Sequence, residues 1–164
     1  MKTQNELKIN KLYFTSILLL MLIFPIISVI LDLRSQQGGD LIALAGKWFV
    51  FWAIGVRLLL AGLRQAAKPA FTLAAIFHIK NKESEVIVRE LGFANICFGI
   101  IGVLSIFIPE WRPAAGFAGT LYMGMAGAYH IIKKPVSANE VVAMISDIYI
   151  FLVLAVYLYG YFVK

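Results

Sequence analysis

The chain has 164 residues, 61% of them hydrophobic and 15% charged, with a net charge of +6 and a mean hydropathy of +0.84. Water-soluble proteins carry about 25% charged residues, and a domain of this size has too little interior to hide so much apolar surface. These figures exclude a disordered chain, a secreted disulfide scaffold and an ordinary soluble enzyme, and they point to an all-α polytopic membrane helix bundle.

Apolar runs at 12–31, 41–63, 86–108, 114–132 and 141–163 predict transmembrane helices in a single integral membrane domain. The first follows Lys8 and Lys11 as a signal peptide would, but no small-x-small cleavage site follows it. It therefore reads as a retained helix, bent near Pro25 and facing lipid on most sides. A short loop from Asp32 to Asp40 leads to the second run, which holds Lys47 near one end and Arg57 deeper inside. The longest loop, 64–85, contains a segment from Pro69 to Ile79 that either lies along the membrane interface or packs as a connector. His78, within it, reads as an ordinary exposed side chain.

The third run ends before Pro109, and a tight turn from Pro109 to Pro113 leads into the fourth. Cys97 reads as a small packing residue, and a lone cysteine supports neither an intrachain disulfide nor dithiol exchange. Ala, Gly and Thr dominate 114–132, including Gly116, Gly119, Gly124 and Gly127, so this helix is expected at the centre of the bundle. Ser137 and Glu140 have capping-box spacing at the start of the last run. No internal repeat supports an inverted-repeat transporter.

The cations report orientation. Lys2, Lys8, Lys11, Arg64, Lys68, Lys80, Lys82, Arg89, Lys133 and Lys134 fall on one side, and Arg34, Arg112 and Lys164 on the other. The positive-inside rule then predicts a cytoplasmic N-terminus and an outer C-terminus in the cell's inner (plasma) membrane. It also removes nucleic acid as the reason for the basic balance. Trp48, Trp52, Trp111, Tyr157, Tyr159 and Tyr161 are expected in an outer aromatic belt, with Tyr13 at the inner interface.

An ionisable group in a spanning helix costs about 2.5–3.5 kcal/mol at the bilayer centre on insertion scales, so each needs a partner or a purpose. Arg57, Glu90, Asn95, His130 and Asp147 are the candidates for a ligand-binding site. At about 1.5 Å per residue, Arg57 and Asp147 lie roughly 10 Å inside the cytoplasmic boundary. Ala53, Arg57, Ala61 and Arg64 share one helical stripe, and Glu90, Ala94 and Cys97 share another, so these charges are expected to face packed protein. Arg57 pairs with Asp147, with Glu90, or with both. No catalytic residue stands out, and no metal site is expected, because HExxH spacing is absent. Bis-histidine haem, which would need His78 and His130 to meet, is disfavoured.

The stretch Arg57-Leu-Leu-Leu-Ala-Gly62, then Pro69, then Glu90-Leu-Gly-Phe-Ala-Asn-Ile-Cys-Phe-Gly-Ile-Ile-Gly102 resembles the DoxX-like small bacterial membrane proteins. The similarity covers roughly residues 50–163, and is closer to an uncharacterised branch with a histidine ending its fourth helix, here His130, and an aspartate in its last, here Asp147. This resemblance implies a four-helix core with 12–31 as an extra N-terminal helix, and a redox or quinone context. The resulting expectation is a bundle binding a quinone, lipid or similar amphiphile in a polar pocket of the cytoplasmic half. The alternatives are a non-catalytic accessory subunit of a membrane complex, as a homo-oligomer or with a partner subunit, and a component of a quinone-linked oxidoreductase.

Overall fold

A computed structural model describes residues 9–35, 39–74 and 81–163. All regular structure among them is helical. The long helices are α1 (Lys11–Ser35), α2 (Leu41–Ala67), α3 (Glu85–Leu104), α4 (Arg112–Lys133) and α5 (Ala138–Val163), with a one-turn helix at Pro69–Thr72. Four segments, Lys11–Ser35, Leu41–Ala67, Lys82–Leu104 and Ala138–Val163, are long and apolar enough to cross a membrane. The chain is thus a polytopic all-α bundle. The glycines and polar side chains of α4 dilute its hydropathy, and it falls outside that group.

Local chemistry explains the ends. Asn10 caps α1 by accepting the Tyr13 N–H at 3.0 Å, and Asp40 caps α2 by accepting that of Ile42 at 3.0 Å. The expected capping box forms: the Ser137 hydroxyl accepts the Glu140 N–H at 3.2 Å, and Glu140 Oε2 accepts the Ser137 N–H at 3.4 Å. Lys134, at φ 61°, ends α4 in a left-handed conformation just before Pro135.

Two helices are locally widened. Residues Leu19–Ile23 of α1 and Val50–Val56 of α2 are π-helical, so Phe24 N–H bonds Leu19 O and Arg57 N–H bonds Trp52 O, each five residues back. Pro25 has no N–H to donate, and its ring would meet the carbonyl four residues earlier. The wide turn relieves that conflict at the place where a bend is expected from the sequence.

The hub of the bundle is α2, which touches each of the other four long helices, whereas α4 packs on α2, α3 and α5. The expectation that α4 would be central is therefore corrected. Its glycines accept large side chains, with Gly119 against Ile54 and Gly124 against Phe151. Close backbone approach occurs instead between α2 and α3. A Cβ on Gly102 would lie 2.6 Å from Gly55 Cα, and one on Gly62 would lie 2.6 Å from Gly92 O. The buried stripe of α3 is Val88, Gly92, Asn95, Gly99 and Gly102. Glu90, Ala94 and Cys97 lie on its outward side, so Cys97 is not the buried packing residue the sequence suggests.

Helix α1 is held by polar contacts as well as by Ile17, Met21 and Val29. Asp32, inside α1 rather than in a loop, pairs with Lys47 at 2.6 Å and accepts Trp48 Nε1–H at 3.0 Å. Trp52 Nε1–H donates to Ser28 Oγ at 3.0 Å. The two tryptophans thus serve the α1–α2 contact, and Tyr157 is 4% exposed within the core, while Trp111, Tyr159 and Tyr161 remain outward-facing. Pro69, Thr72 and Leu73 are buried, so the described part of the 69–79 segment is a packed connector. Its remainder, with His78, lies outside the described residues.

Gly102→Val should lower the thermal unfolding midpoint of the detergent-solubilised protein, since forced overpacking costs about 1–3 kcal/mol. Ala94→Val, on the outward side of the same helix, should move stability by less than about 0.5 kcal/mol. Equal midpoints for the two variants would show that the glycine seam does not hold α2 to α3.

Candidate polar cavity between the helices

At the end of the bundle where α2 finishes and α3 and α5 begin, the helices splay around a cavity of about 380 Å³. That volume falls within the common range for small-molecule sites, about 300–1,000 Å³. Helical periodicity supplies its walls. Tyr13, Ser16, Ile17 and Leu20 come from one face of α1, Arg57, Ala61, Arg64 and Gln65 from α2, and Tyr122, Ala126 and His130 from α4. Leu91 and Asn95 of α3, and Ala143 and Asp147 of α5, complete the circuit with Phe71 and Thr72 of the connector.

Arg57 and Asp147 face each other across this space, with Nη2 3.7 Å from Oδ1. Their side chains are 16% and 8% exposed, so the apolar surroundings would penalise a charge on either one without the other. The α2 widening ends at Arg57, the first residue after the wide turns. Tyr13 and Tyr122 lie within electrostatic reach of both members of the pair.

Two buried polar atoms of the wall have no partner. Asn95, 2% exposed, donates from Nδ2 to Gln65 Oε1 at 2.7 Å, and its Oδ1 receives nothing. His130 Nδ1 is likewise buried and unbonded. Unsatisfied buried polar atoms are costly and rare, and these two leave hydrogen-bonding capacity unused at the cavity. Arg64 lays its guanidinium over the Phe71 ring, 3.5 Å from the centroid, and forms no ion pair among the described residues. Lys133, also on the wall, pairs with the buried Glu140 at 3.1 Å.

Of the residues singled out from the sequence, Arg57, Asn95, His130 and Asp147 converge here. Glu90 does not: it is exposed on α3, outside the wall, and Arg57 pairs with Asp147. Sequence reasoning counted Arg64 as a topology cation, though on the stripe of Arg57, assigned Tyr13 to the interface, and passed over Gln65 and Tyr122. The spacing from Arg57 to Arg64 and Gln65, and from Tyr122 to His130, is the signal that could have found them. Among the described residues, no group of three or more His, Cys, Asp and Glu is arranged to hold a metal ion.

The chain belongs to a family of unknown function, DUF6790, whose model matches residues 12–161. The match takes in nearly all of α1 together with the other four long helices. No curated protein and no solved structure matches the chain.

Asp147→Leu alone should destabilise the protein by about 3–5 kcal/mol, because it leaves Arg57 buried and unpaired. The double variant Arg57→Leu/Asp147→Leu should recover most of that loss. Thermal unfolding in detergent measures both, and a double variant as unstable as the single one would contradict the pairing.

Proposed function

We propose that this DUF6790 member crosses the membrane five times, with its N-terminus cytoplasmic. In this reading it binds a membrane amphiphile whose polar head enters the cavity around Arg57, Asn95, His130 and Asp147. The observation that carries the reading is the pair of orphaned buried atoms, Asn95 Oδ1 and His130 Nδ1, on the wall of one cavity that also holds a charged pair. A purely structural polar network would satisfy its own members. Apolar wall residues such as Leu20, Leu58 and Met123 suit the first carbons behind a head group. The cation bias of the connecting loops supports a position for this cavity in the cytoplasmic half.

A second reading is an accessory subunit of a membrane complex. The mutual neutralisation of Arg57 and Asp147, which needs no ligand, favours it.

Native mass spectrometry on protein extracted gently from its own membranes separates the two. The wild-type protein should retain a small molecule near one equivalent, and Ala126→Phe, which fills the cavity, should cut retention at least tenfold while keeping a cooperative unfolding transition. Retention equal in the two proteins, or none in the wild type, would overturn the binding reading and leave the accessory one.

A further inference from the structure

A second concavity lies beside the first. An apolar groove of about 320 Å³ runs between α1 and α5, lined by Phe14, Leu18, Met21, Val142, Ile145 and neighbouring residues. Ile17 lines both spaces. Adjacent residues divide between them: Tyr13, Ala143 and Asp147 face the polar cavity, while Phe14, Val142 and Ser146 face the groove. The one hydroxyl that Ser146 brings is turned inward, donating to Ala143 O at 2.9 Å. The two spaces are therefore the polar and apolar sides of a single α1–α5 seam.

The charges of the polar side do not balance. Arg57, Arg64 and Lys133 stand on the wall, with Asp147 opposite Arg57 and Glu140 behind Lys133. Arg64 is left as the cation without an anion among the described residues. Its guanidinium carbon sits over the Phe71 ring, 3.5 Å from the centroid, and Phe71 takes none of the N–H donors that could hold a phosphate. Asn95 Oδ1 can only accept, so the bound head must bring a donor such as a hydroxyl.

Resting on the amphiphile reading above, we propose that the occupant is an anionic phospholipid with a hydroxyl-bearing head. Its phosphate sits at Arg64, a head hydroxyl meets Asn95, and one acyl chain crosses the Ile17 wall to lie in the α1–α5 groove. Charge selects the head and the groove selects the chain. A quinone offers acceptors only: it can take hydrogen bonds from Arg64 but leaves that charge unneutralised and gives Asn95 Oδ1 no donor.

The test uses the full-length protein in nanodiscs of phosphatidylcholine, with photoactivatable phosphatidylglycerol carrying a diazirine in one acyl chain. Saturable adducts should map to α1 and α5 at Phe14–Leu22 and Val142–Tyr149. Arg64→Gln should reduce labelling at least fivefold, with Arg34→Gln, at the opposite end of the bundle, unchanged. Photoactivatable phosphatidylcholine should label weakly and without saturation. Equal labelling by the two lipids, or adducts spread over the outer faces of α3 and α4, would overturn the proposal. Displacement of the bound probe by an uncharged quinone analogue, with excess unlabelled phosphatidylglycerol ineffective, would overturn it while sparing the amphiphile reading. The absence of saturable labelling together with an apo mass spectrum would overturn both.

Discussion

The Arg57–Asp147 pair sets the geometry of the cavity end of this molecule. Each charge is intolerable alone in apolar surroundings, so α2 and α5 are held at the distance the pair requires. These helices pack most closely through the other half of the bundle, where Leu41–Phe49 meets α5. At the cavity end they diverge, and the ion pair bridges the opening. The cavity follows from that divergence: close side-chain packing there would have excluded Arg64, Gln65 and His130 from a common space.

What allows the divergence is the tight seam elsewhere. Gly55, Gly62, Gly92 and Gly102 bring the backbones of α2 and α3 into contact, which anchors α2 on one side along most of its length. On the other side, α4 and α5 interlock by seating Phe151 and Ile148 on Gly124 and Gly127. Two close-packed pairs therefore face each other, with α1 laid across the front and tied at both ends. Asn10 N–H donates to Asn139 Oδ1 at 2.9 Å at one end, and Asp32 meets Lys47 and Trp48 at the other. Between these ties its contact with α5 is narrow, bordered by the polar cavity and the apolar groove.

The wide turns bear on the same region. The two π-helical segments touch each other, and both border the cavity, which is lined by Leu20 of the first and by Arg57, the residue after the second. An extra residue in a turn rotates everything after it relative to a regular helix. Ala53 is fully buried in the core, and Arg57, one turn further along the same stripe, lines the cavity.

Composition and apolar runs alone determined the fold class, because a chain with so few charges has no other way to satisfy its backbone in lipid than by helices. The helix start at Ser137 was legible for a similar reason: caps act within a few residues of sequence, although those at Asn10 and Asp40 emerged only in the structure. Four members of the site were legible as well, since Arg57, Asn95, His130 and Asp147 are conspicuous among apolar neighbours. Which face of each helix turns inward was a different matter. Glu90 and Asn95 are five residues apart on one helix, and only the packing of glycines against α2 decides that Asn95 points in and Glu90 out. In an apolar solvent both faces of a helix read as hydrophobic, so periodicity loses the contrast that identifies a buried side in water. The partner of Arg57, the hub role of α2 and the seam beside Ile17 were decided by tertiary contacts between residues far apart in the chain.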